Sequence, residues 1–182
     1  MLTGTHIKLA KYIYHIFKEQ YGINLSKKNL IYGSIKPDFM KNKVPHYIDK
    51  SIDYMDTEIE RLIFDASNIG IKSFSRRLGM IMHYISDYFC RAHNTSYYRN
   101  NMMEHLRYEK RLAKKMTMKK IKMNIENEIK IDTVKEFIMK LNKEYMKQKS
   151  LERDREYTVK AINILSKYIV EEIIMLRNLK VA

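Results

Sequence analysis

The sequence has no tryptophan, one cysteine (Cys90), two prolines (Pro37 and Pro45) and five glycines. A single cysteine excludes an internal disulfide, so no disulfide framework assigns the chain to an oxidising compartment. The scarcity of Gly and Pro leaves few places for turns and little compositional basis for disorder. No uninterrupted apolar run approaches the roughly 18 residues of a membrane span. In the opening MLTGTHIKLAKYIYHIF, Lys8 and Lys11 interrupt the apolar run and no basic segment precedes it. No signal peptide is therefore expected, and the expected compartment is the cytoplasm.

What is present is a chain of 182 residues, enough for one sizeable core. Lys and Arg outnumber Asp and Glu by 35 to 21, a net charge of +14. That balance suits nucleic acid, an anionic lipid surface or a phosphate-bearing substrate, and equally a lysine-rich solvated surface.

Apolar residues recur at spacings of three and four, which predicts an all-α, single-domain protein over 1–182. Ile7, Ala10, Ile13, Tyr14 and Phe17 share one helix face, ended by Gly22. A short helix from Lys27 to Tyr32 is expected to stop at Gly33. The segment GSIKPDFMKNKVPHY holds both prolines and reads as a fixed, non-helical loop. Further helices are expected from Ile52 to Ala66, closing near Gly70, and from about Phe74 to Phe89. After the polar connection RAHNTSYYRN, a helix starts near Met102 and passes Leu112. Asp132, with Glu136 four residues on, opens the next. The last carries Val159, Ile162, Leu165, Ile169, Ile173 and Leu176.

The histidines carry the chemistry. His83 precedes Asp87 by four residues, and His105 precedes Glu109 by four, with His93 between the pairs. Residues i and i+4 of a helix lie on one face, so each pair offers an imidazole nitrogen and a carboxylate oxygen to one point. Both atom types bind zinc at roughly 2.0–2.2 Å. Asp38 and His46 in the proline-containing segment, and His6 near the N-terminus, are further candidates. His15 reads as an ordinary helix-face histidine and Cys90 as a small buried core residue.

In order, TGTH, GSIKPD, a histidine, HYISD, RAH and HLRYE resemble the zinc-dependent bacterial phospholipase C family, from Thr3 to about Arg111. The resemblance implies an all-α catalytic domain with clustered zinc ions that hydrolyses the phosphodiester between diacylglycerol and a lipid head group. It assigns one zinc to Asp38, His46, His83 and Asp87, and a second to His93, His105 and Glu109. A third goes to His6 with a bridging Asp87. Asp38, following Pro37 in the family's Pro-Asp pattern, would also orient or deprotonate the attacking water. Phe39 and Arg91 are substrate-binding candidates; Arg91 stands where the family usually has proline, and could grip a substrate anion bidentately or stay solvated.

Family members begin with a tryptophan whose amine and carbonyl bind the third zinc. This chain has no tryptophan, and a helix running back through His6 would point the Met1 amine away. Two firmly bound zincs and a weak or empty third site are therefore expected. Nothing after the helical region resembles the β-sandwich lipid-binding domain of some members. The related single-strand-specific zinc nucleases typically carry His-x-x-x-Asp where this chain has Glu109, so the phospholipase side is favoured. The nuclease alternative rests on residues 107–122, with eight basic residues and one acid, and on Tyr97 and Tyr98 as stacking aromatics. A catalytically weakened metal-binding protein, serving a partner or an anionic membrane surface, is the third reading.

Overall fold

The computed structural model describes residues 1–41, 44–94, 102–116, 133–148 and 150–179. Among these the chain is all-helical, without strands, and folds as a single compact domain. The helices are α1 (Thr3–Tyr21), α2 (Lys27–Phe39), α3 (Ile48–Asp65), α4 (Ile71–Tyr88), α5 (Met102–Lys115), α6 (Val134–Tyr145) and α7 (Leu151–Leu179). A short 3₁₀ turn, Arg91–His93, follows α4.

The periodic apolar positions form the core. In α1, Leu9, Ala10, Ile13, Ile16 and Phe17 are buried, and Gly22 ends the helix at φ 67°, a left-handed conformation that glycine adopts without strain. Helix α4 lies at the centre, packed on α1, α2, α3 and α7. Every residue from Ile81 to Cys90 is buried. A helix buried all round must find partners for its polar side chains, and this one carries His83, Ser86 and Asp87. Helix α7 closes one side with Val159, Ala161, Ile162, Leu165, Ile169 and Val170.

Helix α2 departs from expectation. It does not stop at Gly33 but continues through Pro37 to Phe39, so the first half of the supposed proline loop is helical. The reason is tertiary. A Cβ on Gly33 would lie 2.0 Å from the carbonyl oxygen of Arg76, and one on Gly79 would lie 2.3 Å from that of Leu30. The backbones of α2 and α4 therefore touch, and this packing outweighs the weak helix propensity of Gly and the N–H that Pro37 lacks. Only after Met40, whose backbone is extended, does the chain leave the helix. At the start of helix α6, Thr133 is the N-cap, its Oγ1 accepting from the Glu136 N–H at 3.1 Å. Asp132, Tyr97, Tyr98 and the basic positions beyond Met116 lie outside the described residues.

The α2–α4 crossing brings the C-terminal end of α2, with Asp38, to the inner half of α4, with His83. Gly79→Ala should test it. A methyl group pressed into the α2 backbone is expected to cost about 1–3 kcal/mol, more than the roughly 1 kcal/mol that alanine gains in a helix. Denaturant unfolding should show a net loss of stability.

Candidate metal centre

His83 and Asp87 share one face of α4, as their spacing predicts, and both are buried. Around them gather His6 from α1, Asp38 from the end of α2, His46 from the following loop, His93 from the 3₁₀ turn, and His105 and Glu109 from α5. All eight candidate ligands thus lie in one continuous cluster.

Its first part consists of Asp38, His46, His83 and Asp87. His46 Nδ1 lies 2.9 Å from Asp87 Oδ2 and 3.4 Å from His83 Nε2. His83 Nε2 lies 3.5 Å from Asp87 Oδ2 and 3.7 Å from Asp38 Oδ1. Ligands about 2.0–2.1 Å from a shared tetrahedral centre would be roughly 3.3–3.4 Å apart. In the second part, Glu109 Oε1 lies 3.0 Å from both His93 Nε2 and His105 Nε2. In the third, His6 Nε2 lies 3.4 Å from Asp87 Oδ1. Asp87 therefore turns one oxygen to the first part and the other to the third.

Hydrogen bonds outside the cluster fix which nitrogens face inward. His83 Nδ1–H donates to the Ser34 carbonyl at 2.8 Å, leaving Nε2 as a lone pair. Ser86 donates its hydroxyl hydrogen to the His83 carbonyl at 2.8 Å, so its oxygen accepts from His6 Nδ1–H at 3.3 Å. His6 Nε2 is then also a lone pair, buried and without a hydrogen-bond partner; the outward nitrogen of His46, Nε2, is likewise buried and without a partner. A nitrogen lone pair facing a carboxylate oxygen inside a protein is repulsive unless a cation lies between them. The donor set thus fits zinc: neutral imidazoles and carboxylates, oriented from behind.

Electrostatics agree. Burial alone would raise the Asp87 carboxyl, but His93, the Met1 ammonium, His6 and His83 hold it well below the usual range. Burial likewise opposes Glu109, and hydrogen bonds from His105 and His93 hold it low. Burial, reinforced by His6, pushes His83 well down, and burial lowers His93. Ionised carboxylates beside neutral imidazoles are the forms that bind cations.

The N-terminus overturns one expectation. Although α1 runs through His6, the Met1 amine does not point away. Leu2 is extended and turns Met1 into the cluster, where the amine lies 2.5 Å from Asp87 Oδ1, 2.6 Å from His93 Nε2 and 3.2 Å from Glu109 Oε1. Burial opposes its charge, but Asp87, Cys90 and Glu109 raise its pKa to about 11. Sequence reasoning also missed Ser34 and Ser86, which orient the imidazoles, and Thr3, whose hydroxyl donates to Asp38 Oδ2 at 3.4 Å. Of these, only Thr3, Ser34 and Ser86 fall inside the quoted motifs, and nothing there marks their role.

Cys90 is fully buried among core residues, and its sulfur also comes within 4.8 Å of donor atoms of His93 and Glu109. The Arg91 guanidinium lies over the Tyr108 ring, 5.7 Å from its centroid. Phe39 is 72% exposed beside Asp38. His15, far along α1, is exposed and pairs loosely with Glu19 at 3.6 Å.

If the cluster holds zinc, its loss should loosen the fold, because metal binding to donors that only the folded chain brings together is coupled to folding. His83→Ala and His105→Ala are each expected to lower both zinc content and melting temperature. Elemental analysis and thermal unfolding of both variants check this, and parental zinc content in both would refute the ligand assignment.

Comparison with known proteins brings a family model but no individual relative. No curated protein and no solved structure matches the chain. The model of the zinc dependent phospholipase C family matches residues 5–152, well over half of the chain, and takes in every side chain of the cluster. The chain belongs to the zinc dependent phospholipase C family.

Proposed function

We propose that the protein is a phosphodiester hydrolase that uses zinc held by the cluster to cleave a phospholipid at the phosphate–diacylglycerol bond. The observation that carries this reading is the single donor cluster in three parts, joined through Asp87 and graded from buried His6, His83 and Asp87 to half-buried Asp38, His46, His93 and His105. Zinc held there would supply Lewis acidity toward a phosphoryl oxygen and make water more acidic.

The chain's own residues divide the remaining work. His6, His83 and Asp87 are buried and form the floor, whereas Asp38, His46, His93 and His105 are half-buried and form the mouth. Asp38 is the one carboxylate among these four residues at the mouth. Its Oδ2 accepts from Thr3, which holds the carboxylate in place. As water oxygen bonds to phosphorus and the bond to the diacylglycerol oxygen breaks, Asp38 accepts the proton that water gives up, and the diacylglycerol oxygen leaves as a hydroxyl with a proton from solvent.

The rim favours a lipid. Phe39 and Met40 follow Asp38, Tyr47 follows His46, and Met102, Met103 and Leu106 surround His105 in sequence; all six are exposed, with Met102 at 70%. Exposed large apolar side chains gathered around a site mark a surface for an apolar partner. Exposed Lys41, Lys50, Arg107, Lys110 and Arg111 accompany them and suit an anionic bilayer. The basic face of α5 (Arg107, Lys110, Arg111, Lys114 and Lys115) also supports the second reading, a single-strand nuclease.

A screen of the zinc-loaded protein against phospholipid vesicles, a soluble phosphocholine ester and single-stranded nucleic acid separates these readings. Head-group release from vesicles is expected. Cleavage of nucleic acid alone favours the nuclease, and cleavage of nothing favours a metal-binding partner protein. On the confirmed substrate, Asp38→Asn should cost roughly 10²-fold or more in kcat, the scale of a positioned general base, while most zinc is kept.

We further propose that Met1 supplies the third zinc with the amine ligand that His6 and Asp87 lack. Zinc usually takes three or more protein ligands, and the amine, giving up its ammonium proton as zinc binds, brings the third part to that number. Zinc titration of the native chain beside one extended by a few residues at its front tests this. Three equivalents are expected in the first and one fewer in the second; equal stoichiometry would remove Met1 from the ligand set.

A further inference from the structure

Asp154 lies in the first turn of α7, beyond the family-matched residues, and is buried to 1% exposure. Its carboxylate accepts three hydrogen bonds. Oδ2 receives the backbone N–H of Arg91 at 3.0 Å and the hydroxyl of Tyr108 at 2.7 Å. Oδ1 receives the hydroxyl of Tyr145 at 2.8 Å.

Two of these partners are not arbitrary. Arg91 opens the 3₁₀ turn that ends in His93, and Tyr108 immediately precedes Glu109 on α5. Both chain segments that face each other through His93 Nε2 and Glu109 Oε1, 3.0 Å apart, are thus tied to one oxygen of one residue. A cation between His93 and Glu109 needs that spacing kept. The hydrogen bonds within each segment do not keep it: the 3₁₀ turn is three residues long, and those of α5 run along the helix rather than across to the turn. The third partner, Tyr145, comes from α6, which carries none of the proposed ligands, so it anchors the carboxylate from behind.

We propose that Asp154 is a positioning residue for the His93–His105–Glu109 part of the cluster, setting the His93-to-Glu109 separation through Arg91 and Tyr108. The proposal rests on the metal centre described above. Residues behind a metal ligand typically change metal affinity by about 10–100-fold when removed. A buried aspartate that merely satisfied its neighbours would instead affect all the zincs in step with overall stability.

The test is a competition titration of zinc into the metal-free full chain against a chromophoric chelator, with thermal unfolding run alongside. Asp154→Ala is expected to weaken one zinc equivalent by about 10–100-fold and leave the others as in the parent. Asp154→Asn should restore most of that loss, because its amide oxygen can still accept from Arg91 and Tyr108 while its NH₂ donates to the Tyr145 oxygen. Tyr108→Phe should weaken the same equivalent, and Tyr145→Phe, which cuts the tie to α6 alone, should not. If Asp154→Ala does not fold, the two tyrosine variants decide. Parental affinity in Asp154→Ala or Tyr108→Phe, matching losses in the two tyrosine variants, or a parallel decline of every equivalent with melting temperature would each overturn the proposal. A parent chain that binds no zinc overturns the metal centre as well, whereas a zinc-binding parent with insensitive variants overturns only the role of Asp154.

Discussion

The constraint on which the rest depends is the burial of Asp87. An ionised carboxylate removed from water costs several kcal/mol unless positive charge and hydrogen-bond donors surround it. Asp87 sits on a helix buried on every side, with both oxygens engaged: Oδ2 toward His46 and His83, and Oδ1 toward His6, His93 and the Met1 amine. Five groups converge on it, from α4 itself and from three other stretches of chain. The architecture can be read as what is needed to deliver those segments to one point: a glycine crossing that lets α2 meet α4, an extended Leu2 that turns the N-terminus inward, and a 3₁₀ turn that folds His93 back.

Much of this was legible in the sequence because it is local. The periods of three and four placed the helices, and the i, i+4 spacing correctly put His83 with Asp87 and His105 with Glu109. The failures were tertiary. Gly33 and Pro37 are locally helix breakers, and only the contact with α4, close enough to exclude a Cβ, explains why the helix runs on. Helix direction alone would carry the Met1 amine away from the cluster. One extended residue, Leu2, reverses where the first residue goes. Asp154 had no sequence signal: it lies 61 positions after His93, and only folding makes them neighbours.

The polar residues of α4 show how one helix serves both stability and chemistry. Ser86 accepts from His6 and donates to the carbonyl of His83, one turn back. Its hydroxyl therefore determines which nitrogen of His6 faces the cluster. At the end of the same helix, Asn142 of α6 donates to the carbonyl of Tyr88 at 2.7 Å, satisfying a buried group that the helix itself leaves open. The backbone around these candidate ligands is thus held by neutral hydrogen bonds, and the charge that competes for Asp87 comes from the Met1 amine.

The grading of exposure from floor to mouth has a kinetic consequence. His6, His83 and Asp87 are nearly closed to solvent, and the half-buried residues lie between them and the outside. A chelator approaching from solvent would meet Asp38, His46, His93 and His105 before His6 and Asp87, so a cation held by the buried pair would be the slower to exchange.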